Sequence, residues 1–525
     1  MRGLIIDNFA GGGGASTGIE MAIGRSVDVA INHDPAAIAM HRANHPDTKH
    51  YCEDVWQIHP IQVCKSKPVD LAWFSPDCTH FSRAKGGKPV DKNIRGLAWV
   101  ALRWALFVRP AVIMLENVPE IQSWCPLDKN NKPIKERYGE TFDGFIKALT
   151  TGMGNDHPAY SEAIKTLGLN MGTIAAGMLK KGLGYNVEYR TLTSCDYGAP
   201  TRRTRFYLIA RSDGKPIVWP KPTHGDPDGI EVRTGMLKPW LTAAECIDWS
   251  IPAQSIFERK KPLAENTLRR IARGIKKYVI DNPEPYIVPI KADEINTPTI
   301  MCNNGHNNGT SVTDPLNTVT TGNRHYLVAP SLIQYHTETG ADEVRGQALN
   351  EPLMTQDTSN RYALSVAHIM TLRNHQDGQK MTEPLSTVTA GGSHHAAVIA
   401  FLVKYFSTGA AKSVSEPLDT ITTRDRFALV TIHGKEYIIT DIRMRMLQPR
   451  ELFNAQGFPP DYIIDHDADG NPYPKCEQTA KCGNAVTPPV ACALVRANLP
   501  ELCEPDGTKE PPTCWNTIDG KAKNL

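Results

Sequence analysis

Over the first two hundred residues, short β-branched or apolar runs alternate with stretches whose apolar residues recur every three or four positions. That is the pattern of strands and helices building a parallel sheet. The spacing predicts strands over Leu4 to Ile6, Val27 to Ile31, Leu71 to Phe74, Ala111 to Leu115 and Phe206 to Ile209, with helices over Ala15 to Ile23, Pro35 to Ala43 and Gly96 to Phe107. The rhythm breaks from about Ser123 to Ala163, which reads as an insertion. After Ser212 the texture turns Pro- and Gly-rich with short β-rich runs. A helical pattern resumes at Arg443, and Ala491 to Ala497 reads as a last helix before a polar tail beyond Glu504. The expected fold is α/β: a doubly wound, mostly parallel sheet in residues 1–212, a second, irregular β-rich domain in 213–440, and a segment, 441–525, that returns to the first.

Within the second region a sequence repeat stands out: Asp314-Pro-Leu-Asn-Thr-Val-Thr, Glu351-Pro-Leu-Met-Thr, Glu383-Pro-Leu-Ser-Thr-Val-Thr and Glu416-Pro-Leu-Asp-Thr-Ile-Thr. A Pro-Leu turn signal followed by β-formers reads first as a series of turn-and-strand units. The length of 525 residues fits more than one core, since single cores stop growing at roughly 250–300 residues. With 41% hydrophobic and 22% charged residues the chain is globular, and a net charge of +2 leaves any basic patch to be found locally. The twelve cysteines form no Cys-x-x-Cys pair, so free thiols and no structural metal are expected. No signal-peptide core or apolar run of about 20 residues occurs, which fits a reducing cytoplasm and no membrane partner.

The chemistry gathers at predicted strand ends. Leu4 to Ile6 runs into Asp7-Asn8-Phe9-Ala10-Gly11-Gly12-Gly13-Gly14 and a helix, a turn that lets a ligand approach backbone at a helix N-terminus. A dinucleotide fingerprint would place a third glycine where Ser16 or Thr17 stands, and a plain Gly-rich turn is the bland alternative. The next two strand regions end in Asn32-His33-Asp34 and Glu53-Asp54-Val55, polar groups that suit an adenosyl cofactor together and solvated loops singly. Cys78 follows the apolar strand Leu71 to Phe74, and Glu116 ends the strand Ala111 to Leu115. A lone cysteine is usually an inert core residue, but a carboxylate at the end of a buried central strand is too costly to be filler.

The order and spacing of these motifs resemble the DNA cytosine-5 methyltransferases. Phe9 to Gly14 resembles the family's first cofactor motif, Ser75-Pro76-Asp77-Cys78 its catalytic loop, and Glu116-Asn117-Val118 its acid motif. Asp196 to Arg205 is similar to its Gln-x-Arg-x-Arg element, while Arg443 to Pro459 and Gly483-Asn484-Ala485-Val486 resemble its last two motifs. The match covers about Met1 to Ala210 and Arg443 to Leu499. The catalytic loop departs from the commoner Pro-Pro-Cys-Gln, Asn32 stands for the usual ribose-binding Glu, and Thr201 stands for Gln.

The resemblance implies a class I, Rossmann-like methyltransferase fold whose β-rich domain recognises the target. It implies S-adenosylmethionine as cofactor, held by Phe9, Ala10, Gly11, Gly13, Asn32, His33, Asp54, Val55, Pro76, Asn484 and Ala485. Cys78 would add to carbon 6 of a cytosine flipped out of double-stranded DNA, with Glu116 at ring nitrogen 3 and Arg203 and Arg205 orienting the base. Ser82 and a repeat threonine, Thr387 or Thr420, are expected near that base. Leu268, Ile271, Ala272 and Ile275 form a predicted apolar stripe, leaving Arg269, Arg270, Arg273, Lys276 and Lys277 toward solvent for phosphate, or as an ordinary solvated face. The expected protein is a monomer of a bacterial or phage-infected cell, with a cognate restriction enzyme as a candidate partner. Cytosine-5 methylation of RNA and a catalytically silent DNA-binding relative are the alternatives. The long middle region argues against the first, and retention of Cys78 and Glu116 against the second.

Overall fold

The computed structural model describes residues 2–77, 96–257, 259–277, 281, 299–302, 310–311, 325–328, 332–333, 346–347, 364–371, 379–387, 395–404, 429–432 and 435–504. Cys78, Ser82, Thr420 and the tail beyond Glu504 lie outside these residues, as do the first, second and fourth Pro-Leu repeats and the side chain of Arg270. The chain forms two compact units, one of residues 1–246, 383–393 and 448–525, the other of residues 247–382 and 394–447.

The first unit is built on a seven-stranded sheet of β1 (Leu4–Asn8), β2 (Val29–Asn32), β3 (Lys49–Cys52), β4 (Val69–Phe74), β5 (Val112–Asn117), β6 (Asn186–Thr193) and β7 (Thr204–Arg211). Their order across the sheet is β3-β2-β1-β4-β5-β7-β6. β1 to β5 run parallel, and β7 pairs antiparallel with both β5 and β6. The central strands alternate between two covered faces, which is why they read as continuous apolar runs. Ile6, Ala72, Phe74, Ile113, Leu115, Phe206 and Leu208 enter one core with Trp99 and Trp104, whereas Ile5, Leu71, Trp73, Val112, Met114, Tyr207 and Ile209 enter the other.

Helices α1 (Gly14–Ile23), α2 (Pro35–Asn44), α3 (Pro60–Cys64) and α4 (Trp99–Val108) follow the first strands. Local chemistry sets α2: Asp34 accepts from the amides of Ala36 and Ala37, and Pro35 pre-sets φ in the first turn. The region from Ser123 to Ala163, expected as an insertion, is part of the core. It contains α5 (Glu140–Leu149), whose Phe142, Phe145, Ala148 and Leu149 join Trp99 and Trp124 because their spacing puts them on one buried face.

Residues 213–246 also belong to this unit. Trp219 Nε1 donates to Glu188 Oε2 at 2.7 Å, Trp240 Nε1 donates to Asp196 Oδ1 at 2.9 Å, and the Val218 amide donates to Asn498 Oδ1 at 3.1 Å. The C-terminal segment closes the second core. Helix Pro488–Asn498 lies so close on α1 that a Cβ at Gly18 would stand 2.3 Å from the Pro488 carbonyl oxygen.

In the second unit the main sheet is antiparallel and runs Gln254–Ser255, Lys435–Met446, His395–Lys404, Leu364–Thr371, Gln379–Lys380, with Leu429–Ile432 also on Lys435–Met446. Smaller sheets join Thr299–Cys302 to Thr310–Ser311 and His325–Val328, and Leu332–Ile333 to Gly346–Gln347. The helical pattern expected from Arg443 begins later: Arg443 to Met446 end a strand, and the helix is Pro449–Ala455, opened by a capping box between Gln448 and Glu451. No helix among the described residues is long and apolar enough to cross a membrane.

Candidate active site

In the first unit, the parallel strands deliver their C-terminal ends to one edge of the sheet, the place where open α/β sheets bind ligands. β1 leaves that edge through the Gly-rich turn. Phe9, Gly11 and Gly13 all have positive φ, at 64°, 54° and 92°. A Cβ at Gly13 would meet the Tyr462 hydroxyl at 2.2 Å, and one at Gly14 the Val486 carbonyl oxygen at 2.2 Å, so the backbone is pressed between its own helix and the C-terminal segment. Tyr462 closes the contact by donating its hydroxyl to the Gly12 carbonyl at 2.5 Å.

At the end of β2, Asn32 Oδ1 accepts from the Asp34 amide at 2.9 Å, and Asp34 pairs with Lys481. Burial works to raise the Asp34 carboxyl, but Lys481 and the amides of Ala37 and Ala36 outweigh it and hold the group below its usual range. His33 is exposed. Beyond β3, Asp54 is exposed and accepts from the Trp56 amide at 3.0 Å, whereas Val55 is only 5% exposed. Val55 packs into the apolar core beside this turn. Asn484, the last residue of helix Lys475–Asn484, is exposed, and Ala485 is buried.

The strand expected to lead to the nucleophile is tied at three points. The Ser75 amide donates to the Asn8 carbonyl at 3.2 Å, Trp73 Nε1 donates to Ser75 Oγ at 2.8 Å, and Asn117 Nδ2 donates to the Pro76 carbonyl at 3.0 Å. Pro76 is buried and Asp77, next in line, is exposed. Glu116 neighbours Asn117 on β5 and is 7% exposed. Burial pushes its carboxyl above the usual range, and Arg205 and Arg203 pull it partly back. Arg205 Nε lies 3.3 Å from Glu116 Oε1.

The two arginines have different employments. Arg205 faces Glu116, but Arg203 Nη1 and Nη2 donate to the carbonyls of Gly483 and Ala485 at 3.1 and 3.0 Å, so Arg203 fastens the C-terminal motif to β7. The third repeat is also part of this unit. The Leu385 amide donates to the Pro200 carbonyl and the Arg202 amide to the Leu385 carbonyl, each at 2.8 Å, and Thr387 Oγ1 is 3.5 Å from the Arg202 carbonyl. Among residues the sequence did not single out, Tyr462 and Lys481 hold the turn and the end of β2. Their only sequence signal is that they fall within or beside the matched motifs.

The basic helix of the second unit, Glu265–Ile275, buries a narrower face than the periodicity suggested. Ile271 and Ile275 are buried, but Ala272 is exposed and Leu268, one turn nearer the helix start, is 39% exposed. Arg269 pairs with Glu265 at 2.5 Å and Lys276 with Asp281 at 3.4 Å, while Arg273 and Lys277 are exposed. Cys52, Cys64, Cys125, Cys195, Cys246, Cys476, Cys482, Cys492 and Cys503 are free thiols.

Type II methyltransferase M.AquIA of Picosynechococcus is 26% identical over 48% of this chain and 91% of its own length. Type II methyltransferase M.AgeI of Thalassovita gelatinovora is 24% identical over 51% of this chain and 57% of its own length, so the chain spans little more than half of that relative. Among solved structures, S. pombe Dnmt2 methyltransferase aligns over 95% of this chain and 99% of its own at 12% identity and a TM-score of 0.42. Entamoeba histolytica methyltransferase EhMeth aligns over 96% and 100% at 13% and 0.40. The profile of the C-5 cytosine-specific DNA methylases matches residues 4–143 and 173–499, which takes in the Gly-rich turn, Glu116, Arg205 and the C-terminal motifs described above. The chain therefore belongs to the C-5 cytosine-specific DNA methylase family.

Proposed function

We propose that this protein transfers a methyl group from S-adenosylmethionine to carbon 5 of cytosine in double-stranded DNA through a covalent adduct on Cys78. The observation that carries this reading is the Asn117–Pro76 hydrogen bond of 3.0 Å, which ties the chain two residues before Cys78 to the residue next to the buried acid Glu116. The segment that leads toward Cys78 and the strand that carries Glu116 thereby leave the sheet as neighbours at one edge.

The residues fit the cofactor. The Gly-rich turn stands at the N-terminal end of α1, and beneath it Asp7 Oδ1 and Asn8 Oδ1 are buried with no hydrogen-bond partner among the described residues. Phe9 to Gly13 would hold the amino-acid end, Asn32 and His33 the ribose and base, and Ala485 would close the site. When bound, the cofactor supplies an electrophilic methyl group.

This chain's own residues do the rest. Cytosine carbon 5 is a poor nucleophile until the ring's aromaticity is broken, which addition of the Cys78 thiolate to carbon 6 achieves. Glu116, kept toward its protonated form by burial, hydrogen-bonds ring nitrogen 3 and stabilises the charge that develops there. Arg205 holds Glu116 in place and donates to the base oxygen. Loss of the carbon-5 proton and of Cys78 then restores the aromatic ring. Access requires the base to leave the duplex, at a cost of a few kcal/mol, and the exposed Arg273 and Lys277 supply phosphate contacts that offset it.

Incubation of the full chain with tritiated S-adenosylmethionine and duplex DNA, followed by nucleoside analysis, tests the reading. Label in 5-methylcytosine supports it; label in an amino-methylated base, or in RNA only, overturns it.

A further inference from the structure

Beneath the Gly-rich turn a file of polar side chains runs from the core toward the surface. Ser16 Oγ donates to Asp7 Oδ2 at 2.7 Å, His41 Nε2 lies 2.9 Å from Ser16 Oγ, and His50 Nε2 lies 2.8 Å from His41 Nδ1. Asp7, Ser16 and His41 are fully buried, whereas His50, on the edge strand β3, is partly exposed. The other oxygen of Asp7 has no hydrogen-bond partner among the described residues.

Few charges compete for Asp7. Its strand neighbours place Ala30 and Trp73 opposite it. Of the titratable groups around it, His45 on α2 is bonded to Glu20 of α1 at 2.8 Å, Tyr462 donates to Gly12, and Lys481 above the turn is paired with Asp34 and Glu477. Among the described residues no arginine or lysine neutralises the carboxyl, and its polar partner is Ser16.

We propose that Asp7 matches the charge of the ligand on the turn above it: it is a carboxylate when the cationic methyl donor is bound and a carboxylic acid when the neutral demethylated product is bound. Ser16, His41 and His50 form the path of the exchanged proton. The proposal rests on the cofactor reading given above.

The atoms balance along this file. With Asp7 protonated, Oδ2–H donates to Ser16, Ser16 to His41 Nε2, and His41 Nδ1–H to His50 Nε2. Each group passes on one proton, His50 gives one to water, and every bond reverses direction. Ser16 then donates to the carboxylate, as seen here. Neutral imidazoles, with one donor and one acceptor each, are what such a file needs. Burial, with His45 and His50 beside it, keeps His41 well below its ordinary value, and burial, with Arg42 and His45, keeps His50 at about 4. Burial lifts Asp7 to about 7 against the Ser16 bond, so either form is accessible near neutrality.

Calorimetric titration of the full chain with S-adenosylmethionine and with S-adenosylhomocysteine, in buffers of differing ionisation enthalpy, reads the proton count directly. The two compounds differ only in the charged methylsulfonium, so their shared groups cancel. The methyl donor should release on the order of one proton more per site near pH 7 than the demethylated product: Asp7 is half ionised in the free protein there, so the donor releases about half a proton and the product takes up about half. Asp7→Asn should abolish the difference, and Ser16→Ala, which removes the donor to the carboxylate, should move it to higher pH. His50→Gln should keep the count but slow the proton's appearance in a stopped-flow experiment with a pH indicator. Equal counts for the two compounds in the wild type, or a Ser16→Ala profile that overlays it, overturn the role of Asp7. Release as fast in His50→Gln as in the wild type overturns the path. Binding of neither compound overturns the cofactor reading itself and this proposal with it.

Discussion

Arg205 Nε stands 3.3 Å from Glu116 Oε1, and both side chains are nearly buried. The sheet register makes this contact: Glu116 lies opposite Tyr207 across the β5–β7 pair, so Arg205, two residues before Tyr207, is its diagonal neighbour on the same face. Burial pushes this acid toward its neutral form while Arg205 and Arg203 oppose the shift, which suits sharing a proton with a substrate nitrogen.

Glu116→Gln should therefore slow methyl transfer by roughly 10²- to 10⁴-fold, the usual contribution of one general acid, while leaving S-adenosylmethionine affinity within a few-fold. Because burial raises this carboxyl, its acid form persists to higher pH than usual, and activity falls as pH rises through the shifted value. Arg205 pulls that value down, so in Arg205→Ala the alkaline fall of the residual single-turnover rate should move to higher pH. An unmoved fall would separate the two residues.

Arg203 should act on stability. Its guanidinium satisfies the Gly483 and Ala485 carbonyls inside the protein. Arg203→Ala strands both, which costs about 2–4 kcal/mol, and Arg203→Lys should rescue little because the planar fork is lost. Denaturant unfolding of the two variants measures this.

Gly14→Ala is expected to damage the cofactor site more than Gly12→Ala. The added Cβ would fall 2.2 Å from the Val486 carbonyl oxygen at position 14, but 3.2 Å from the Lys481 Cβ and 3.3 Å from the Met40 Sδ at position 12, contacts that a shift of a few tenths of an ångström relieves. A loss of roughly 1–3 kcal/mol, typical of overpacking, should appear in Tm and as weaker S-adenosylmethionine binding for the first variant only.

Asp7 gives the ligand-free protein a particular pH dependence. Its folded value, about 7, is raised above the ordinary 3.8 by burial, so its contribution is fully present below about pH 4 and is lost as pH rises through about 7. The stability of the wild type relative to Asp7→Asn should decline across that window, by on the order of 4 kcal/mol at most. Urea midpoints of the pair at pH 4.5 and 7.5 test the sign.

What the sequence disclosed follows from burial. β1, β4 and β5 are covered on both faces and read as apolar runs, whereas the edge strands β3 and β6, Lys49–Cys52 and Asn186–Thr193, are polar and half exposed and gave no periodic signal. The segment holding α5 looked like an insertion because it interrupts the strand–helix rhythm, although its aromatic residues complete the core. Phe9 to Gly14, Glu116 and Arg205 were legible because their chemistry is concentrated at strand ends. The fastening role of Arg203 and the hydrogen bond from Tyr462 to Gly12 were not, since both depend on contacts more than 250 residues away.

The covalent role of Cys78 is tested most directly with duplex DNA carrying 5-fluorocytosine at target positions, because fluorine at carbon 5 cannot leave as a proton does and the adduct is trapped. In the presence of S-adenosylmethionine, mass spectrometry should find one methylated fluorocytosine nucleotide bonded to the peptide containing Cys78, and none with Cys78→Ala. An adduct on another residue, or methylation of cytosine by Cys78→Ala at a wild-type rate, would contradict the account.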